Sequence, residues 1–266
     1  MSAIAVRVRP GWLALREPAD AAARSAELAE RLRQYLPTAG RLVIHDLGGG
    51  SGAMGRWLAP LLRGPQHWVV HDRDAYLLEL ALAAPPGPAA TVETRRSDIT
   101  RLEPGDLAGA HLIVASALLD ILTADGLSAM LRACAGHPML LALTVVGRVA
   151  LTPADPLDAR VAAAFNAHQQ RTTTENRLLG PAAVPVAVEE LRGTGAEVLV
   201  RPSPWRLNGA HVDLAAEWFT GWVAAACEHE PALAAEVGAY REGRLVQAAA
   251  GELAVTVDHA DLLVLP

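Results

Sequence analysis

Apolar and polar positions fall into two kinds of stretch along the chain. Short β-rich runs occupy residues 42–45, 67–71, 91–95, 111–115, 138–146 and 196–200. The run at 138–146 (PMLLALTVV) is almost wholly apolar, the pattern of a strand covered on both faces of a parallel sheet. Between these runs lie longer stretches with apolar positions three and four apart, the spacing of one helix face. They predict helices over 18–36, 53–62, 74–83, 125–135, 156–170, 182–193, 212–227 and 231–249. In the first, Ala23, Leu28, Leu32 and Tyr35 share one stripe, with Pro37 and Gly40 ending it before the first strand. Residues 1–18 read as irregular, with Trp12 and Leu13 packing onto the domain. Residues 252–265 close the chain as a strand pair or one long strand. Strands alternating with helices predict an α/β fold around a mainly parallel sheet.

The connection after the first run is the most informative stretch. Asp46 ends the strand, a loop rich in glycine follows (Gly48, Gly49, Gly50, Gly52), and a helix opens at Ala53. Glycine permits positive φ and close approach of a ligand to the backbone, the demands of a nucleotide-binding turn. The loop fits two patterns. Gly50, Gly52 and Gly55 match G-x-G-x-x-G, the dinucleotide fingerprint. Asp46, Gly48, Gly50 and Gly52 match D-x-G-x-G-x-G. Both patterns want a carboxylate at the end of the second strand for the ribose hydroxyls. Asp72 stands there, 20 residues beyond Gly52, with Arg73 next to it. A second carboxylate, Asp98, follows the third strand 26 residues later, with Ile99 beside it. Asp98 can accept from an adenine amino group while Ile99 packs on the ring.

In that order, Asp46-x-Gly48-x-Gly50-x-Gly52, Asp72, Asp98-Ile99 and the strand end Ala115-Ser116 resemble the class I S-adenosylmethionine (SAM) methyltransferases over about residues 20–200. The resemblance implies a Rossmann-like, seven-stranded, mostly parallel sheet of order 3-2-1-4-5-7-6, with strand seven antiparallel and helices on both faces. It implies SAM as cofactor and S-adenosylhomocysteine (SAH) as product. Asp46, the three glycines, Asp72, Arg73, Asp98, Ile99, Ala115 and Ser116 would then hold the cofactor, the last two lining its methionine part. The family reaction is an in-line displacement at the methyl carbon, in which alignment does much of the work and no universal catalytic residue is expected. One domain spanning 1–266 is expected: a helical segment at 1–40, a cofactor-binding core at 41–147, and substrate-covering helical insertions at 148–181 and 202–250.

Composition narrows the partners. A net charge of −6, from 29 acidic and 23 basic residues, argues against nucleic acid as main partner. Every basic residue is arginine, so a P-loop and Schiff-base chemistry are excluded. Cys134 and Cys227 lack the spacing of metal ligands, and no metal is expected. No signal peptide is visible, and the longest apolar run falls short of the ~20 residues that span a bilayer. A cytoplasmic protein, monomer or homodimer, with no membrane partner is expected. The cap-like insertions point to a small organic acceptor. A lysine-free, Ala- and Arg-rich chain suggests a GC-rich genome and, through it, specialised metabolism.

Acceptor-binding residues are sought in the insertions. His168 is a candidate general base, since histidine titrates near neutrality, although a plain surface histidine is the larger prior. Asn166, Arg171, Trp205 and Arg206 are candidate substrate contacts. Trp218 and Trp222, four apart on one helix, read as core, and His45 and His71 as packing beside the acids. Two other classes remain open: an NAD(P)-dependent oxidoreductase, and a methyltransferase-fold protein that binds SAM without transferring a methyl group, as a cyclase or a binding module.

Overall fold

A computed structural model describes residues 9–173 and 176–266. Its central sheet contains β1 (Leu42–Leu47), β2 (Gln66–Asp72), β3 (Ala90–Arg96), β4 (Leu112–Ser116), β5 (Met139–Thr152), β6 (Glu197–Pro202) and β7 (Ala254–Leu265). The strands lie in the order β3-β2-β1-β4-β5-β7-β6. Pairs from β3 to β5 are parallel, and β7 runs antiparallel to both β5 and β6. The order and the antiparallel seventh strand are those the methyltransferase resemblance implies. Leu112, Ile113 and Val114 of β4 are fully buried, because a central parallel strand is covered on both faces. β3 lies at the edge, and its polar sequence is correspondingly half-exposed.

Three sequence expectations change. β5 runs on to Thr152 rather than ending at 146, so the first insertion begins inside the sheet. β7 is one long strand, and a short strand, Trp205–Leu207, pairs with its N-terminal half. The predicted helix over 18–36 is two helices, α1 (Pro10–Ala23) and α2 (Ala26–Tyr35), and α1 begins in the stretch expected to be irregular. The break has a local cause. Ser25 caps α2 by accepting from the Leu28 N–H, which is worth about 1 kcal/mol, and gives its own N–H to the buried Asp261 carboxylate at 2.7 Å.

Helix α3 (Ala53–Leu58) is shorter than predicted, passing into a 3-10 turn at Ala59–Leu61 where Pro60 removes an amide donor. Helix α4 (Ala75–Ala83) starts at its expected cap, Asp74, whose side chain accepts from the Tyr76 N–H. α2 and α3 pack with Trp68 and Leu58 on one face of the sheet, while α5 (Ala124–Ala133) and α7 (Ala183–Gly193) pack on the other.

The two insertions converge on one body. α6 (Asp158–Gln169), α8 (Val212–His229) and α9 (Gly238–Ala249) bury Val161, Phe219, Trp222 and Tyr240 together with Trp205. Trp218 stacks on Trp222 with ring centroids 5.3 Å apart, as core. Buried Arg244 donates to both Asp158 oxygens at 2.8 Å, and the Tyr240 hydroxyl donates to the same carboxylate, fastening α9 to α6. Among the described residues no helix is long and apolar enough to cross a membrane.

Candidate functional site

The glycine loop joins β1 to α3 at the carboxyl edge of the sheet. Gly48, Gly50 and Gly52 all adopt left-handed backbone, with φ of 65°, 54° and 84°. Gly49 is required for another reason. A Cβ there would sit 2.7 Å from both the Asp46 carboxylate and Val70. Its N–H donates to the His71 carbonyl at 3.0 Å, holding the loop against β2. Gly55 lets α3 close on Trp68 and Pro86, a packing role that either glycine pattern accommodates. Beneath the loop Asp46 is fully buried, and neither carboxylate oxygen has a hydrogen-bond partner. Burial pushes its carboxyl up to about 7, against the pull of Arg24. Beside it, His45 and His71 stack, with ring nitrogens 3.0 Å apart, and His71 reaches Ser97 Oγ. Burial lowers both histidines to about 4, so the pair is neutral.

Asp72 links this loop to α4. Its Oδ2 accepts from the Gly50 N–H and its Oδ1 from the Asp74 N–H, both at 2.9 Å. Two carboxylate oxygens offer about four acceptor directions, so room remains for a ligand. Asp98 caps the 3-10 turn Ile99–Arg101, accepting from the Thr100 N–H and hydroxyl at 3.0 and 2.7 Å. Burial raises Asp98, but the Thr100 hydrogen bonds and the charges of Arg73 and Arg101 outweigh it and hold the carboxyl below its usual range. The Arg73 guanidinium lies 3.7 Å away, which draws Arg73 toward Asp98. Ile99 is buried beside the acid. A cleft of about 360 Å³ opens here, with His71, Ser97, Asp98, Arg101 and Leu102 in its wall.

On the other side of the loop stands a residue the sequence reading missed. Arg24, in the break between α1 and α2, is buried and donates through Nη2 to Ser116 Oγ at the end of β4 (3.0 Å). Its Nε and Nη1 have no hydrogen-bond partner among the described residues, and the guanidinium lies 5.4 Å from the centre of the Trp57 ring. Burial lowers its pKa, against the charges of Asp20, Asp46 and Asp261. Unpartnered guanidinium N–H groups in a buried setting fit a carboxylate. No sequence signal marks Arg24 among 23 arginines. Ala115 itself is sealed in the core, whereas Ser116 is half-exposed. α1 lies over the loop: Leu13 approaches Gly50, and Glu17 pairs with Arg56 at 2.7 Å, while Arg56 also donates to the Ser51 carbonyl.

The expected substrate residues are not brought together. His168 meets Glu228 of α8 at 3.3 Å and lies against Arg171, and burial lowers its pKa. Arg171 donates to the His168 carbonyl, and Asn166 donates to the Gly147 carbonyl, tying α6 to β5. None of these bonds reaches the glycine loop, β2 or β4. Trp205 is buried, its Nε1 donating to Asp20, while Arg206 points out of the opposite strand face and is exposed.

No protein-family profile matches the sequence, and no curated protein matches it. Solved structures do match by fold. The cyclopropane synthase MmaA2 from Mycobacterium tuberculosis aligns over 97% of this chain and 95% of its own, at 14% identity and a TM-score of 0.51. A SAM-dependent methyltransferase from Geobacter sulfurreducens, solved with SAH, aligns over 97% of this chain and 98% of its own, at 14% identity and a TM-score of 0.44. With the strand order above, the likeness to MmaA2 shows a Rossmann-like methyltransferase fold.

Proposed function

We propose that this chain is a SAM-dependent methyltransferase acting on a small organic acceptor, with the cofactor lying along the carboxyl edge of β4, β1, β2 and β3. One observation carries the reading. Three sets of groups are spaced along that edge in the order that the parts of SAM require. Arg24 with Ser116 suits the methionine carboxylate, Asp72 the ribose hydroxyls, and Asp98 with Ile99 the adenine.

Bound SAM supplies an electrophilic methyl group on a sulfonium. The chain's own residues bind and orient it. Asp72 keeps its carboxylate aimed by taking the Gly50 and Asp74 amides, and α1 closes over the glycine loop to exclude water. A pre-aimed acceptor loses little freedom when the ligand arrives. A role in specialised metabolism rests on the lysine-free composition alone.

Thermal unfolding with SAH, SAM, NADH or NADPH added separately tests the cofactor. A ligand at ~100 times its dissociation constant adds about 2.7 kcal/mol to stability. Shifts with SAH and SAM are expected. A shift with the nicotinamides alone would restore Gly50-x-Gly52-x-x-Gly55 as a dinucleotide fingerprint and overturn the proposal.

A further inference from the structure

Parallel neighbours in a sheet are joined by a crossover, usually a helix laid on one face. Between β3 and β4, residues 97–111 form only two 3-10 turns, Ile99–Arg101 and Pro104–Leu107. The face of β2 and β3 on that side is therefore open: Arg95 is exposed, and His67 and Glu93 are half-exposed. It is the face turned away from the glycine loop. Asp72 points to the loop, where it accepts from the Gly50 N–H, so its neighbour His71 points to the opposite side. Arg95 pairs with His71 in the β2–β3 register and shares that side. The cleft of about 360 Å³ opens here, bordered by His71, Ser97, Leu102, Arg95, Arg96 and Arg101, with Asp98 and Asp106 at its margin. Neither Asp72 nor Ile99 lines it.

Three guanidiniums and two carboxylates border the cleft, and they are unequally engaged. Asp98 Oδ1 takes both Thr100 donors, and Asp106 Oδ2 accepts from the Glu103 N–H at 2.8 Å. Arg95 gives Nε to Glu93 at 2.7 Å and Nη1 to the Asp106 carbonyl at 3.1 Å. Arg96 gives only its Nε, to the Arg73 carbonyl at 3.1 Å. The exposed Arg101 side chain comes no closer to Asp98 than 4.0 Å. Among the described residues, the Nη groups of Arg96 and Arg101 thus donate no hydrogen bond. His71 is buried and meets Ser97 Oγ at 3.0 Å, and burial lowers it to about 4, so it adds no charge and leaves the wall net positive. Guanidinium forks match the oxygens of a phosphate. A bare phosphate would occupy only a fraction of the space, since clefts from ~300 Å³ upward hold whole small molecules. Ser97 and Leu102 offer a hydroxyl and an apolar surface to the rest of such a ligand.

We propose that this cleft is a second ligand site, which binds a small phosphate monoester with its phosphate on Arg96 and Arg101 and its organic body toward Ser97 and Leu102. Nothing in this site requires SAM at the glycine loop. The acids at the margin do not cancel the arginines, because each already holds a donor of its own turn.

Ribose 5-phosphate, inorganic phosphate and ribose, titrated by calorimetry in phosphate-free buffer, test the assignment. Ribose 5-phosphate is expected to bind more tightly than inorganic phosphate, and ribose not to bind. Arg96→Gln and Arg101→Gln should each weaken the ester roughly ten-fold or more, as the loss of a charged hydrogen bond requires, with unchanged unfolding midpoints. Arg192→Gln, at an exposed arginine of α7, should leave its affinity as it was. Inorganic phosphate binding as tightly as the ester, with the same response to the two cleft variants, would keep the anion site and overturn the organic body. No binding of either phosphate, equal binding of ribose and its phosphate, or equal losses from all three variants overturns the proposal. So does displacement of ribose 5-phosphate by SAH, which would make the cleft part of the cofactor's own site. If SAH fails to bind at all, the function proposed above falls, and the phosphate titration still decides this cleft.

Discussion

Arg24 Nη2 donates to Ser116 Oγ over 3.0 Å, joining the break between α1 and α2 to the carboxyl end of β4. The bond fixes a guanidinium whose remaining N–H groups are buried and unpartnered. Arg24→Gln should therefore weaken SAH binding by about 1.5–3 kcal/mol, the worth of hydrogen bonds to a charged group. Affinity for 5′-methylthioadenosine, which lacks the amino-acid carboxylate, should not change. Calorimetric titration of both ligands checks this, and an equal loss for both would assign Arg24 a purely structural role.

Asp72 holds the loop through the Gly50 and Asp74 amides and, in the proposed function, the ribose as well. Asp72→Ala should lower SAH affinity by about 1.5–3 kcal/mol. It should also lower the unfolding midpoint, because the Gly50 and Asp74 amides lose their acceptor. Denaturant unfolding without ligand separates the two effects. A variant as stable as the wild type would mean that water replaces the carboxylate at both amides.

Steric demand rather than backbone angle governs Gly49. Gly49→Ala places a methyl 2.7 Å from Asp46 and Val70. Overpacking of this kind costs about 1–3 kcal/mol. Gly11→Ala, with nothing within 4 Å of the added methyl, should be far milder. Urea midpoints of the two variants give the comparison.

The buried Asp46 makes a pH prediction whose sign can be worked out. Its folded-state pKa is about 7, raised above the ordinary aspartate value of 3.8 mainly by burial. An acid so raised binds its proton more tightly when folded, so its contribution to stability is lost as pH climbs from about 3.8 to about 7. Asp46→Asn lacks this titration. Its stability relative to wild type should rise across that window and level off above it. Unfolding free energies of both proteins at pH 5 to 8 test this, and a constant difference would show that Asp46 keeps its charge throughout. The raised pKa values of Asp120 and Asp261 act in the same direction. The lowered values of His45, His71 and His259 act oppositely, removing stability as pH falls from 6.5 toward about 4. The comparison of variants isolates Asp46 from both sets.

Local pattern was enough for the sheet and its glycine loop. The β1 run, Gly48, Gly50 and Gly52, and the strand ends at Asp72 and Asp98 are read by neighbours within a few residues, so short-range stereochemistry determines them. Asp74 as the α4 cap was legible for the same reason. The α1–α2 break was not, since the acceptor of the Ser25 N–H is Asp261, more than two hundred positions away. Nor was the grouping of Arg24, Arg16 and Asp20 with Ser116 and Trp205, which three distant segments contribute. Periodicity placed the helices of the insertions, but it could not tell that α6, α8 and α9 bury one another and turn His168 toward Glu228. Sequence by itself determined most of the elements and the acids at the carboxyl edge of the sheet, because backbone preference and two-sided burial act locally. Only the tertiary structure decided which charges pair and which are left over, because burial and Coulomb interaction depend on distance in space rather than along the chain.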